Sequence, residues 1–223
     1  MNNILLFLEQ TGGSLPKSSL SLIRAGQELR TKWGLDNIVS LCLGRNASSA
    51  GEAAIEYGVD TSVYSMQGQF EEYLSTPYAC AVTKTCQRYG CTVVMGLSSS
   101  IGKDFLPRVA VALEAGQASD VIGMNNDKTL RRLMYSGDVV AEVEICSPIK
   151  VITIRSTAFA NAAKENRPGN VSEIQFENVL DTGSEILSYS AGDNGRPSLL
   201  SAERVVSGGR GLRSAKDFKQ YIL

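Results

Sequence analysis

A short glycine-rich run near the end of the chain has the residue types best suited to binding a ligand. Ser207–Gly211 (SGGRG) holds three glycines and an arginine between a predicted strand, Glu203–Val206, and a predicted helix, Ser214–Leu223. Glycine lets the backbone approach a ligand closely, a following helix directs free N–H groups at an anion, and arginine offers several donors to a phosphate or a ring edge. An ordinary turn with solvated charges would contain the same residues.

The charges around this run favour an anion. Five basic and two acidic residues lie between Glu203 and Lys219, a local net charge of +3, whereas the whole chain carries -1. The run is not a P-loop, because it lacks a Gly-Lys-Ser/Thr ending. It also does not complete G-x-G-x-x-G, because Ser214 occupies the third glycine position.

Gly96–Asp104 (GLSSSIGKD) is a second candidate site. It follows a predicted buried strand and opens a predicted helix, which is where α/β sheets bind phosphates. A strand-to-helix turn with a serine cap explains the same residues, and we favour that interpretation. Glu142 and Glu144 lie two apart on a predicted strand and are interpreted as its solvent face rather than as an acid/base pair.

The composition excludes several classes of function. The 223 residues, 43% of them apolar, are enough for one full domain and part of a second. There is no His, which removes the usual general base, the Ser-His-Asp triad and the commonest zinc ligand, so no metal site is predicted. With 22 Lys+Arg against 23 Asp+Glu, no overall field favours nucleic acid or an anionic membrane.

The cysteines and the apolar runs indicate where the chain resides. Five Cys without a C-x-x-C pair are typical of buried thiols in a reducing compartment. No apolar run approaches the ~20 residues of a membrane span, and the N-terminus lacks the features of a signal peptide. We expect a cytoplasmic protein without membrane insertion.

Hydrophobic periodicity predicts the elements that must position these residues. Short Val/Ile/Leu-rich runs indicate buried strands at Asn3–Glu9, Asn37–Leu43, Thr61–Ser65, Cys91–Gly96 and Asp120–Met124. Helix patterns alternate with them: one starting between Ser14 and Ser19 and ended by Gly34, then Ser49–Tyr57, Gln69–Tyr89 (interrupted near Pro77) and Asp104–Ala115. This alternation predicts an α/β fold whose mostly parallel sheet has helices on both faces.

The pattern changes after Met124. Leu130–Tyr135 and Val139–Cys146 predict an antiparallel hairpin added to the parallel sheet. The remaining predicted elements are a strand at Lys150–Arg155, a polar loop at Ala160–Asn170, short strands at Val171–Phe176 and Glu185–Ser190, and a linker at Ala191–Pro197. We expect a complete α/β domain over residues 1–195 and an incomplete β-α start of a second domain over residues 196–223.

Several of these segments resemble the α subunit of electron transfer flavoproteins. Leu199–Leu212 (LLSAERVVSGGRGL), with Ser214 and Phe218, resembles that family's domain junction. Ser100–Ala110 and Val151–Arg155 resemble its fourth helix and a later strand, so the resemblance covers essentially the whole chain.

The resemblance implies both a fold and a function. The fold is an N-terminal domain of the adenine-nucleotide-hydrolase-like kind followed by a flavodoxin-like domain that binds FAD. The function is that of an electron carrier rather than an enzyme, with no catalytic residue. It would form a heterodimer with a β subunit and pass electrons from flavin-dependent dehydrogenases to a respiratory acceptor, as in fatty acid β-oxidation.

The resemblance also implies a site. In the family, the Arg of the S-G-G-R-G motif contacts FAD, and this role carries over to Arg210. The turn itself suggests that the neighbouring residues shape the loop: Ser207, Gly208, Gly209 and Gly211.

The sequence departs from the family in three places. Arg132–Asp138 (RLMYSGD) stands where the family often has R-P-x-Y-A-G-N, and Ser156 replaces a Pro. The family's later A-S-R, G-Q-T-G and I-S-G-A-x-Q-H segments, with their flavin-side His, have no counterpart. We therefore expect that this chain alone does not hold FAD tightly, since one turn encloses a flavin on one side only.

An alternative from another class is a truncated, non-redox α/β module. Such a protein would serve as a scaffold or bind a nucleotide at Gly96–Asp104, and it would pair with a β-type partner. It predicts no FAD binding even when a β subunit is present.

Overall fold

The computed structural model describes residues 2–165, 168–177, 183–184, 186–188, 202 and 204–222. Contacts divide the chain into two units, Met1–Glu185 and Ile186–Leu223. In the described residues, the first unit holds one nine-stranded sheet and four α-helices. The second unit holds one short helix.

The centre of the sheet is parallel. β1 (Asn3–Phe7) pairs on one side with β2 (Ile38–Leu43) and on the other with β4 (Cys91–Leu97). β3 (Thr61–Ser65) continues the sheet beyond β2. Every side chain of β1 and β2 is buried, including the polar Asn3 and Ser40, as their mostly apolar runs predict for strands covered on both faces.

Four helices connect these strands: α1 (Lys17–Trp33), α2 (Ala47–Glu56), α3 (Ser75–Arg88) and α4 (Ser100–Ala112). Gly34 ends α1 in the left-handed conformation, with φ 64°, as predicted. The predicted helix Gln69–Tyr89 is interrupted, as predicted, but at residues 71–74, shortly before Pro77. Pro77 lies in the first turn of α3, where a proline has no helical N–H to lose, and a separate 3-10 turn precedes it at Gly68–Phe70.

Helices cover both faces of the sheet, as predicted. Ile4 and Leu6 of β1 pack in a core cluster with apolar residues of α1 and α2. Leu5 and Phe7 point to the other face, where they pack with residues of α3 and α4. The rings of Phe7 and Phe105 meet edge to face with centroids 4.8 Å apart. Because successive side chains of β1 point to opposite faces of the sheet, this strand contributes to the hydrophobic core on each face.

The predicted antiparallel hairpin is present at one edge of the sheet. β6 (Thr129–Met134) pairs antiparallel with β7 (Val139–Glu144) and with β5 (Gly116–Met124). β5 starts earlier than predicted, and its pairing is irregular around Asp120, which has φ 57°. β8 (Lys150–Ile154) lies between β4 and β5 and is parallel to both.

The other edge is β9 (Asn170–Glu173), which runs parallel to β3 and confirms part of the predicted strand Val171–Phe176. The predicted strand Glu185–Ser190 is wrong at 186–188, the part of it that is described, because these residues form no ladder pairs. The predicted linker at Ala191–Pro197 and the predicted domain boundary at 195/196 fall outside the described residues.

The second unit contains α5 (Ala215–Tyr221), inside the predicted helix Ser214–Leu223. The predicted strand before it is wrong at 204–206, its described part, which is exposed and belongs to no sheet. A strand needs a hydrogen-bonding neighbour, and no described residue supplies one here. Within the described ranges, no helix is long and apolar enough to span a membrane.

Candidate functional site

The predicted ligand loop Ser207–Gly211 is exposed along its whole length. A turn forms at its end, where the Leu212 N–H donates to the Gly209 carbonyl oxygen at 3.0 Å. The turn leads into α5. The loop therefore ends in a hydrogen-bonded turn next to the helix, and its earlier residues are exposed to solvent.

The glycines in this loop serve two different purposes. A Cβ on Gly208 would lie 2.1 Å from Leu212 Cδ1 and 3.3 Å from Phe218 Cδ2, so the loop packs on α5 at this position. A Cβ on Gly209 or Gly211 would meet nothing within 4 Å. None of the three has a φ in the left-handed region. A side chain at 208 would have to displace the end of the Leu212 side chain, whereas 209 and 211 leave open space.

Arg210 lies at this turn with an exposed side chain. Its guanidinium makes no hydrogen bond or ion pair with any residue in the described part of the chain. An exposed guanidinium without an internal partner keeps all its donors for a phosphate or a ring edge.

The start of α5 is capped by Ser214. Ser214 caps the helix by accepting from the Asp217 N–H at 3.2 Å, and its hydroxyl donates to Asp217 Oδ2 at 2.9 Å. The carboxylate of Asp217 therefore lies at the helix start, where it repels a second anion. The cap engages the Asp217 N–H alone, so the expectation that the first N–H groups of this helix face a ligand stays a prediction, and Arg210 is the basic group of the loop.

The second candidate, Gly96–Asp104, connects β4 to α4. Ser99 caps α4, because its Oγ accepts from the Gly102 N–H at 2.9 Å. The same hydroxyl donates to Glu9 Oε1, from the loop after β1. Burial raises the pKa of the Glu9 carboxyl, and the hydrogen bond from Ser99 offsets part of this increase. The serine-cap interpretation is confirmed.

Gly102 explains why the connection is so tight. A Cβ at this position would lie 2.0 Å from the carbonyl oxygen of Leu97, the last residue of β4. The first turn of α4 therefore packs directly on the end of the strand. Only glycine fits this approach.

A second group of polar residues lies at the carboxyl end of β8, which is beside the carboxyl end of β4. The Ser98 hydroxyl donates to Thr153 Oγ1 at 2.8 Å, and the Asp120 N–H donates to the same oxygen at 2.9 Å. Arg155 then forms an ion pair with Asp120, with Nε 3.2 Å from Oδ1 and Nη2 in contact with Oδ2. The Arg155 guanidinium lowers the pKa of the Asp120 carboxyl despite partial burial.

These contacts pair the polar groups at the ends of β4 and β8 with one another. Sequence reasoning singled out the serines but missed Glu9, Asp120, Thr153 and Arg155. Their signal was a charged residue at the end of a buried parallel strand, directly after β8 at Arg155 and two residues after β1 at Glu9. Because Glu9 holds a carboxylate against the serine cap, a phosphate at Gly96–Asp104 would meet a negative charge. The cluster joins strands and a helix rather than forming an open ligand site.

The other sequence candidates have simpler roles. Glu142 and Glu144 are exposed on β7, as predicted for a solvent face. All five cysteines are free, and three are buried: Cys42, Cys86 and Cys91. In the described residues, no group of three or more Cys, Asp or Glu side chains is arranged to hold a metal ion.

Comparisons with known proteins identify the family. A profile of the electron transfer flavoprotein domain matches residues 4–178. One relative is the probable electron transfer flavoprotein subunit alpha, mitochondrial, of Caenorhabditis elegans, 29% identical over 220 residues, which cover 98% of this chain and 64% of the relative. The electron transfer flavoprotein subunit alpha of Pseudomonas aeruginosa is 29% identical over 218 residues, covering 97% of this chain and 68% of the relative.

A plant relative gives the same result. The electron transfer flavoprotein subunit alpha, mitochondrial, of Arabidopsis thaliana is 31% identical over 229 residues, covering 96% of this chain and 62% of the relative. The chain spans about two thirds of the length of these curated relatives. With the domain profile matching residues 4–178 and its relatives named as α subunits, the chain belongs to the electron transfer flavoprotein family, as its sequence motifs indicated.

Proposed function

We propose that the chain acts as an electron carrier of the α-subunit type. It takes electrons from flavin-dependent dehydrogenases and passes them to a respiratory acceptor through FAD, which it holds together with a β subunit. The observation that carries this proposal is the exposed guanidinium of Arg210, which pairs with none of the residues that the structure describes, in the S-G-G-R-G loop of a member of this family.

The residues of the loop suit such a ligand. Gly209 and Gly211 leave open space beside the backbone, so a flat or phosphate-bearing group can approach without a side chain in the way. Arg210 supplies a positive, planar donor group, and Gly208 lies close to Leu212 and to Phe218 of α5. FAD, when bound, supplies the electron-carrying chemistry.

Each loop residue has a distinct proposed role. Arg210 contacts the cofactor and balances its negative charge. Gly208 fixes the path of the loop, and Gly209 and Gly211 keep the approach clear. Ser207 offers a hydroxyl at the start of the loop, where the chain is exposed. None of these residues makes or breaks a bond of a substrate, which is why we propose a carrier and not an enzyme.

The non-redox alternative is less well supported. It placed a nucleotide at Gly96–Asp104, where Ser99 is already engaged by Gly102 and Glu9. The relatives found by comparison are named electron transfer flavoprotein subunits. We therefore do not favour a scaffold function.

A cytoplasmic location remains our proposal from the sequence. The five free thiols support it, because they fit a reducing compartment. The relatives from Caenorhabditis elegans and Arabidopsis thaliana, by contrast, are named as mitochondrial proteins. Fractionation of cells that express the tagged protein tests the location directly.

A titration with FAD tests the proposed function. FAD is added to the chain alone and to the chain with an electron transfer flavoprotein β subunit, and binding is followed by flavin fluorescence. We expect binding with the β subunit present, and Arg210→Ala weakens it about tenfold. Absence of FAD binding in the presence of a β subunit that does associate would contradict the proposal and favour the scaffold alternative.

A further inference from the structure

A cavity of about 190 Å³ lies at the amino-terminal edge of the sheet, the edge opposite to that of Glu9 and Arg155. Asn2 directly precedes β1, and Lys150, the first residue of β8, pairs with Val93 near the start of β4. Because these strands are parallel, their amino ends meet at this edge. Eight residues, all in the first unit, line what we call the Trp33 cavity: Asn2, Trp33, Leu35, Thr92, Val93, Lys128, Pro148 and Lys150.

Trp33, at the end of α1, gives the cavity an aromatic wall. Its Nε1 donates to the Asn125 carbonyl oxygen at 3.0 Å, and its ring packs against the core cluster together with Leu35. Val93, which also lines the cavity, is buried. The indole N–H is thus already used and the ring is held in place. A fixed aromatic and apolar wall favours packing of a planar ring.

Lys128 and Lys150 place two ammonium groups at the same cavity. Lys150 Nζ donates to the Ser147 carbonyl oxygen at 2.7 Å, which uses one of its three N–H groups. The Lys128 ammonium makes no hydrogen bond or ion pair with any residue within the described ranges. Thr92 adds a hydroxyl to the lining. The cavity therefore holds unused hydrogen-bond donors, most of them on positively charged groups.

No carboxylate balances these charges among the eight lining residues. The acidic residues next to the lining in the chain are engaged elsewhere. Asp36 Oδ2 accepts from the Asn2 N–H at 2.8 Å. Asp127 Oδ1 accepts from the N–H and the hydroxyl of Thr129, at 3.1 and 2.7 Å. A concave surface lined by charges of one sign attracts a ligand of the opposite sign, which here is an anion.

The backbone of Lys128 adds a further observation. Its φ is 68°, in the left-handed region that glycine and asparagine adopt more readily than a lysine. Lys128 lies in the turn between β5 and β6. Residues held in such conformations are found preferentially at functional sites. Glycine would fit this turn with less strain, but it would not supply the ammonium group.

We propose that the Trp33 cavity binds a small aromatic anion, a single planar ring that carries a carboxylate or phosphate group. The ring packs on Trp33, and the anionic group lies between Lys128 and Lys150. The cavity volume is below the roughly 300 Å³ at which sites for drug-sized ligands begin, so a single ring fits it and a dinucleotide does not. The site shares no residue with the Arg210 loop and does not depend on the proposed function.

The fluorescence of Trp33 tests the proposal directly, because Trp33 is the only tryptophan of the chain. The full chain, without FAD or a β subunit, is titrated with benzoate and with phenyl phosphate. Benzamide is the uncharged control for the anionic group, and inorganic phosphate is the control for the ring. We expect a saturable change with at least one aromatic anion, at a dissociation constant of about 1 mM for so small a ligand. Both controls should bind at least about fivefold more weakly.

Lys128→Gly separates binding from folding. It removes the ammonium group and suits a φ of 68°, so the variant should melt close to the natural chain. Binding of the aromatic anion should weaken about fivefold or more. Lys17→Ala is the matched control, since it removes an exposed lysine from the other end of α1, and it should change the affinity less than about twofold.

Three results would overturn the proposal: quenching by both aromatic anions that never saturates, equal affinity for benzamide and benzoate, or equal losses in Lys128→Gly and Lys17→Ala. Inorganic phosphate that binds as tightly as phenyl phosphate would overturn it in favour of a plain anion site without a role for the ring. Neither FAD nor a β subunit is present in these titrations, so each of these results would leave the proposed function standing.

Discussion

Arg155, directly after β8, forms a two-point ion pair with Asp120, the residue at which the ladder of β5 becomes irregular. Asp120 has a φ of 57°, and its N–H donates to the Thr153 hydroxyl at 2.9 Å. The ion pair with Arg155 thus holds the side chain of Asp120, and the Thr153 hydroxyl holds its backbone. Asp is one of the few residues with a Cβ that tolerate this conformation.

Replacing Asp120 and Arg155 in turn should separate the contribution of the ion pair from that of the backbone conformation at Asp120. Asp120→Ala loses the ion pair and places an alanine in the left-handed region, so we expect the free energy of unfolding to fall by about 2 kcal/mol. Arg155→Ala loses only a partly exposed pair and should cost about 0.5–1 kcal/mol. Urea denaturation measures both. Equal losses in the two variants would contradict a contribution from the backbone conformation.

Glu9 gives a pH-dependent prediction. Burial raises the pKa of its carboxyl in the folded chain above the unfolded value of about 4.3, so the stabilisation it provides is complete below that pH and is lost as the pH rises through the folded pKa. Glu9→Gln stays neutral. Its melting temperature relative to the natural chain should therefore rise between about pH 4 and pH 7.

The control for Glu9 is the exposed carboxylate of Glu52. The melting temperature of Glu52→Gln should follow that of the natural chain across the same pH range, because an exposed side chain gains little from neutralisation. Parallel curves for Glu9→Gln and the natural chain would show that burial of Glu9 carries no cost.

Gly102 tests the close approach of α4 to β4. Glycine to alanine inside a helix normally stabilises by about 1 kcal/mol, but a Cβ at 102 would lie 2.0 Å from the Leu97 oxygen. We expect Gly102→Ala to lower the free energy of unfolding by roughly 2–4 kcal/mol. Gly68→Ala, where a Cβ would meet nothing within 4 Å, should be neutral within about 0.5 kcal/mol. Thermal melts of both variants measure these effects, and equal stability of Gly102→Ala and the natural chain would contradict the close approach of α4 to β4.

The cysteines differ in exposure and should differ in reactivity. Cys146 is exposed, whereas burial raises the pKa of the Cys42 thiol to about 12. With a thiol reagent at mildly alkaline pH, Cys146 should react first, and Cys42 should react only after denaturant is added. The variant Cys146→Ser should lack the fast phase. A fast phase that survives this substitution would mean that another thiol is accessible in the folded chain.

Much of the fold follows from the sequence because the local signals and the tertiary packing agree. The apolar run at Ile4–Leu8 predicts a strand buried on both faces, and Gly34 predicts the end of α1. Pro77 predicted the interruption of the helix Gln69–Tyr89 slightly too late in the chain, because the break lies at residues 71–74 and a proline is neutral in the first turn of the helix that follows. The segment at 204–206 has strand-forming valines but no neighbouring strand in the described chain.

The site was harder to predict than the fold. The loop glycines and Arg210 stand together in the sequence, so they could be found by inspection. The pairs Ser99 with Glu9 and Arg155 with Asp120 join residues 90 and 35 positions apart. Periodicity places such residues at the ends of parallel strands, but it does not determine which side chains meet. Arg131 and Arg132 are identical in type, and only the strand register distinguishes the exposed one from the shielded one.

The central claim is that the chain holds FAD through Arg210 with the help of a β subunit. Its most direct test is the FAD dissociation constant of the chain with a β subunit, compared among the natural chain, Arg210→Ala and Lys219→Ala. Lys219→Ala removes an equal charge from the end of α5 and should change the constant by less than about threefold. We predict an increase of about tenfold or more for Arg210→Ala. Equal constants for Arg210→Ala and the natural chain would contradict the claim.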